Sequence, residues 1–139
     1  MTTQPLRARP ARAIRRGAAA VEFAICLPVM VLLVLSLIET CTMAFLKQSL
    51  TVAAYEGAHT ALLPEATAAD VRANCEQILQ DRRVKSGTVE VTPRDLPRLP
   101  EGQYFEVRVS APSDANGVLP ARFFRGKILV GSAVMMKEI

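Results

Sequence analysis

The bond between Gly17 and Ala18 is where this chain most plainly invites chemistry, and that chemistry would be done to the chain rather than by it. Gly17 is a small residue set between a basic pair, Arg15-Arg16, and the apolar run that opens Ala18-Ala19-Ala20-Val21-Glu22-Phe23. Hydrolysis after Gly17 would free an α-amino group on Ala18 and leave Glu22 as the fifth residue of the shortened chain. A carboxylate in the first turns of a lipid-embedded segment is costly and calls for a partner. Two readings stay open. An acid near a helix N-terminus is favoured by the positive end of the helix dipole and needs no further role. Alternatively, an amine on an adjoining, lengthwise-staggered helix neutralises Glu22, which then sets register between subunits, the best attested use of a buried charge.

Other reactive side chains form no recognisable set. His59, the sole histidine, has no Cys, Asp or Glu at ligand spacing, and no Gly-rich phosphate loop follows a strand. Glu90, Asp95, Glu101 and Glu106 alternate with arginines as a solvated face does, rather than as paired catalytic carboxylates. The three cysteines, Cys26, Cys41 and Cys75, are an odd count, and their pairing stays open. No enzyme activity, cofactor, metal or small-molecule substrate is expected. The basic balance belongs to residues 1–17, with five arginines and no acid, while from Gln48 onward eleven basic and eleven acidic residues cancel. That tail lacks the interleaved aromatics of a nucleic-acid arm and adjoins an apolar helix, so no nucleic-acid partner is expected. It fits the cytoplasmic side of a membrane segment instead.

The elements that must position Glu22 follow from hydropathy. Phe23 to Ile38 carries no charge. A span needs about 20 mainly apolar residues, and counting from Ala18 to Leu46 supplies them if Glu22 and Glu39 lie near opposite interfaces, roughly 26 Å apart along a helix axis. Pro28 removes one helical hydrogen bond and predicts a bend in the inner half, either incidental or a soft point for repacking. The helix is expected to start near Ala18 and to continue to Leu63, where Pro64 stops it. Its stripe of Leu46, Leu50, Ala53, Ala54 and Ala61 fits packing either on the protein's own globular part or on another subunit. Thr67-Ala68-Ala69-Asp70 predicts a capped second helix with Val71, Cys75, Ile78 and Leu79 on one face, closed by Gly87. Thr88–Thr92 and Tyr104–Ser110 alternate as strands. Lys127–Met136, apolar on both faces, predicts a central strand or a short buried helix. The fold class is therefore α+β: a transmembrane helix extended into a long helix, a short helix, and a roughly three-stranded antiparallel sheet. The expected divisions are a basic leader over 1–17, the long helix over 18–63 and a small α+β head over 64–139.

Arg16-Gly17, four residues, then Glu22-Phe23 resembles the leader junction of type IV prepilins and pseudopilins, especially the tight-adherence (Flp) class. Glu22-Phe23-Ala24, Leu27-Pro28, Ile38-Glu39 and Ala53-Ala54-Tyr55-Glu56-Gly57-Ala58-His59 together are similar to the N-terminal region of TadE-like pseudopilins, with His59 where Arg is more usual. The resemblance implies a minor pilin or pseudopilin of a tight-adherence pilus or secretion apparatus. Arg16, Gly17 and Ala18 would form the prepilin peptidase site, Glu22, Phe23 and Pro28 would serve assembly, and Glu39, Glu56 and Gly57 would serve subunit or head packing. It also implies a pilin-like fold, a bacterial inner membrane location with the N-terminus cytoplasmic, and a C-terminal domain in the periplasm or outside the cell. The implied partners are the membrane, the peptidase, pilin-like subunits and the assembly machinery. The rival from another class is an uncut single-pass anchor carrying a small envelope binding domain. A domain released after Ala44 is a third, less well supported by the flanking residues.

Overall fold

The computed structural model describes residues 12–118 and 123–137, with side chains from Gly17 onward. Its elements are α1 (Arg12–Ala61), α2 (Ala68–Asp81), β1 (Thr88–Thr92), β2 (Tyr104–Pro112), the single-turn α3 (Ser113–Asn116) and β3 (Ile128–Met136). The chain divides into two compact units, Met1–Ser36 and Leu37–Ile139.

In the first unit α1 starts at Arg12, earlier than the alanine run alone predicts. Arginine and alanine are both strong helix formers, and no proline stands between Pro10 and Pro28 to stop the helix sooner. Residues 1–11 of the expected leader lie outside the described residues. The helix is continuous through Pro28, and every described side chain from Gly17 to Val34 is exposed. From Gly17 onward α1 is long and apolar enough to cross a membrane.

The second unit is an α+β head, as the alternating patterns predict. Its sheet is an antiparallel meander in the order β1-β2-β3, with Val89 opposite Val109, Val91 opposite Val107, and Val109 also opposite Gly131. Phe105, Val107, Val109 and Ala111 alternate into the core, while Arg108 stays outside. Strand β3 is an edge, not the central strand its composition predicts. Leu129, Ala133 and Met135 pack inward, and Ile128, Val134 and Met136 are exposed on the other face, so the two-sided apolar pattern records an uncovered face. The central place goes to β2, the strand with hydrogen-bonded neighbours on both sides.

The head half of α1 packs its inner stripe on its own sheet: Leu46, Leu50, Ala53, Ala54 and Ala61 are all buried, with Met43 and Ala58 beside them. Each large side chain so buried contributes about 1.5–3 kcal/mol. Two glycines set how closely the layers approach. A Cβ on Gly131 would run into the backbone of α1 at Leu50 and Thr51, and one on Gly57 into Cys75 Sγ of α2. Strand β3 therefore lies against α1, and α2 sits in the notch at Gly57.

Helix α1 ends at Ala61, and Leu62 and Leu63 turn back to the carbonyls of His59 and Thr60 at 3.1 Å each, just ahead of Pro64. Helix α2 has the expected capping box: Asp70 N–H donates to Thr67 Oγ1 at 3.3 Å, and Thr67 N–H donates to Asp70 Oδ2 at 2.9 Å. Its C-terminus departs from expectation. Arg83, at φ 56°, makes the left-handed step, with Val84 N–H donating to Leu79 O at 2.8 Å. Gly87 instead leaves room for Leu79, whose Cδ1 would lie 2.6 Å from an added Cβ.

Candidate processing and assembly site

Gly17 and Ala18 lie within α1 and are exposed, and a Cβ added at Gly17 would meet nothing within 4 Å. The side chain of Arg16 lies outside the described residues. Four residues on from Ala18, Glu22 shares its helix face. It is exposed on the apolar segment and has no hydrogen bond or ion pair with another described residue. Phe23 beside it is 60% exposed. Pro28, also exposed, cannot donate to the carbonyl of Ala24, one turn back.

Glu39 behaves differently, though it too is an acid in the same helix. It belongs to the head and is only 4% exposed. Its Oε1 accepts the Phe124 N–H at 3.3 Å, and its Oε2 has no partner among the described residues. Buried polar atoms left without a partner are uncommon and costly, and Glu39 belongs to the head's packing.

Glu56 and Gly57 are neighbours that point apart. The Glu56 side chain is exposed, while its carbonyl accepts Thr60 Oγ1 at 3.1 Å and Asn74 Nδ2 at 3.4 Å. Gly57 faces Cys75, Val71 and Val107 of its own head. His59 is exposed and meets Tyr55 edge-on, with ring centroids 4.6 Å apart. All three cysteines are free. Cys26 and Cys41 are exposed, whereas Cys75 is fully buried and donates to Ala53 O at 3.2 Å. Burial pushes the Cys75 thiol up to about 11, because the thiolate would lose its hydration there.

Sequence reasoning passed over several residues that build the head. Gly131 could have been found as an isolated glycine inside a strand pattern, the usual mark of close backbone approach. Lys47, which donates to the Val130 carbonyl, and Lys137, whose Nζ donates to Leu96 O at 2.9 Å from a buried position, carry no such mark, since both bonds depend on folding.

These features define a class: one N-terminal helix long and apolar enough to span a membrane, running on into a small α+β head. Within that class, residues 17–59 match the model of the TadE-like protein family, a pilus-related structural family, so the resemblance to TadE-like chains over that stretch, the Ala-Ala-x-Glu-Gly-Ala segment included, is shown. No curated protein and no solved structure shows significant similarity to the chain.

Proposed function

We propose that this chain is a minor pilin or pseudopilin of a tight-adherence pilus or secretion apparatus, cut by a prepilin peptidase after Gly17 and assembled through its N-terminal helix. In this reading residues 1–17 are the cytoplasmic leader, 18–63 the membrane and extended helix, and 64–139 the head beyond the inner membrane. Glu22 carries the proposal: it stands exposed on an apolar helix, within the TadE-like stretch, with no partner among the described residues. Lipid penalises such a charge, and a cleaved neighbour offers the ammonium that offsets it. Phe23 and the other exposed apolar side chains then have helices as well as lipid to cover them.

The intact mass of the protein from its native membrane tests cleavage. A chain beginning at Ala18 is expected, and a leader still attached in cells with active prepilin peptidase refutes the proposal. Glu22→Ala is expected to insert normally yet assemble poorly; normal assembly would remove the charge-pairing argument. One observation favours the alternative, an uncut single-pass anchor with a small envelope binding domain. The Gly17–Ala18 bond lies inside α1, so a peptidase must open helix to reach it. The same mass measurement separates the two.

A further inference from the structure

The sheet has two edges, and the hydrogen bonds at the ends of the β2–β3 ladder fix which backbone groups each edge offers. Lys137 N–H donates to Gln103 O at 2.9 Å, and Ser113 N–H donates to Lys127 O at 2.8 Å. Both pairs continue the register that sets Tyr104 opposite Met136 and Pro112 opposite Ile128. Backbone groups along an antiparallel strand turn to alternate sides, so the odd-numbered residues of β2 bond to β3. Glu106, Arg108 and Ser110 therefore turn to β1, where they meet Thr92, Glu90 and Thr88. That leaves Val89 and Val91 with their N–H and C=O groups directed away from the sheet. No other bond among the described residues takes up these four groups.

The groove at this edge is lined by Val89, Glu90, Val91 and Thr92, with Arg72 of α2 on one side and Arg94, just past the strand, at its end. Helix α2 packs against β1 on the inner face of the sheet, to which Val89 and Val91 turn their side chains. Glu90, the one acid of β1, belongs to the outer face and stands opposite Arg108. The ion pairs among the described residues, Arg98–Asp95 and Arg108–Glu106, engage neither Arg72 nor Arg94.

We infer that this groove takes an extended acidic segment of another polypeptide, which adds to the free edge of β1 as a fourth strand and presents carboxylates to Arg72 and Arg94. Donors and acceptors alternating along one edge select a backbone, and strand addition draws affinity from main-chain bonds and specificity from alternate side chains. A phosphate or lipid headgroup would satisfy the guanidiniums but set its oxygens against the carbonyl oxygens of Val89 and Val91. Two guanidiniums without a carboxylate of their own make the complementary strand an acidic one. A second copy of this chain lacks that complement. Its β3 edge has no acid from Ile128 to Met136, and β1 paired antiparallel with β1 would place Glu90 opposite Glu90, a destabilising arrangement. The inference uses the head alone and holds whether or not the leader is cut.

Residue-resolved amide exchange of the full chain in nanodiscs tests it, with the blocked peptide acetyl-Glu-Val-Glu-Val-Glu-Thr-amide as probe. Without probe, the Val89 and Val91 amides are expected to exchange faster than those of Glu90 and Thr92, which belong to the ladder. Probe at about nine times its Kd should slow the two valine amides about tenfold. The same peptide N-methylated at alternate residues should leave them unchanged, because it cannot pair as a strand. Arg72→Gln combined with Arg94→Gln should weaken the parent probe by about three- to tenfold, with exchange at Val107 and Val109 reporting an intact sheet. No slowing at about 1 mM probe overturns the inference. Equal slowing by the N-methylated probe or by inorganic phosphate also overturns it, since the groove would then bind anions and not a strand. Equal affinity for the peptide with Gln in place of Glu overturns the choice of an acidic segment.

Discussion

Gly57→Ala is expected to destabilise the head, and Cys75→Ala is expected to restore it. The added Cβ would overlap Cys75 Sγ while touching Val71 Cγ1 and Val107 Cγ1 at 3.4 Å each. Overpacking of a filled core costs about 1–3 kcal/mol, and alanine in place of glycine inside a helix returns about 1 kcal/mol. The single variant should therefore lose from near zero to about 2 kcal/mol, depending on how far the thiol can swing aside. Cys75→Ala alone removes a buried sulfur and its bond to Ala53 O, a loss of roughly 1 kcal/mol. In the double variant the new methyl occupies the volume the sulfur vacates, and the helix keeps its propensity gain. Its stability should lie within about 0.5 kcal/mol of the parent, which makes the coupling between the two sites favourable by about 1–3 kcal/mol. Pulse proteolysis of the full chain in nanodiscs, read across urea, gives the midpoints from which the cycle is built. Additive single effects, or a Gly57→Ala variant more stable than the parent, would refute the packing argument and free Gly57 for some other role.

Gly131→Ala is expected to cost more, about 2–3 kcal/mol, and to resist rescue by trimming any one side chain, because its Cβ meets the α1 backbone at Leu50 and Thr51; the same urea midpoints check this. The Cys75 thiol, held at about 11 in the fold against roughly 8.5 when unfolded, releases its proton first in the unfolded chain. Stability should therefore fall as pH rises from about 8.5 toward 11, by up to about 1.4 kcal/mol per unit, and Cys75→Ala should remove that slope in pH-dependent denaturation. Asp70 is held below the ordinary carboxylate range, first by its side-chain bond with Thr67 and then by the Thr67 backbone bond. Its contribution is complete above about pH 3.9 and is lost as pH falls through the lowered value; Thr67→Ala should cost about 1 kcal/mol at neutral pH and flatten the acid limb of the stability curve.

The regular elements were legible because each had a local cause. Val89 and Val91 alternate with threonine and glutamate, Phe105, Val107 and Val109 alternate with charge, and Thr67 and Asp70 close a capping box within four residues. What sequence could not convey was pairing. The composition of β3 implies cover on both faces and a central place; the sheet order makes it an edge, and the exposure of Ile128, Val134 and Met136 shows that one face is open. Gly87 looked like a helix stop, but the turn after α2 is made by Arg83 in the left-handed region, while Gly87 leaves room for the Leu79 side chain. Hydropathy places Glu39 at the end of the apolar run, and only the fold shows that a loop 85 residues away in sequence closes over it. The junction at Gly17 and Glu22 was legible as a motif, and what it does depends on molecules beyond this chain.

The two acids of the apolar helix sit in different surroundings. Glu39 is covered by its own head, with one oxygen on the Phe124 N–H, so an incoming ammonium would have to displace packed chain to reach it. Glu22 is exposed, and in the proposed reading charge pairing between helices falls to it. The same division holds for surfaces. In the head half of α1 the stripe from Met43 to Ala61 is already engaged with the sheet, so a helix lying alongside meets the opposite side, where Phe45, Tyr55 and His59 are exposed. In the N-terminal half, from Gly17 to Val34, no side is engaged by the described residues, and in the proposed reading Glu22 would set the register of packing there. In that reading, a helix with one face committed to its head and its N-terminal carboxylate uncommitted would keep the head folded on its own while choosing neighbours by position along the axis.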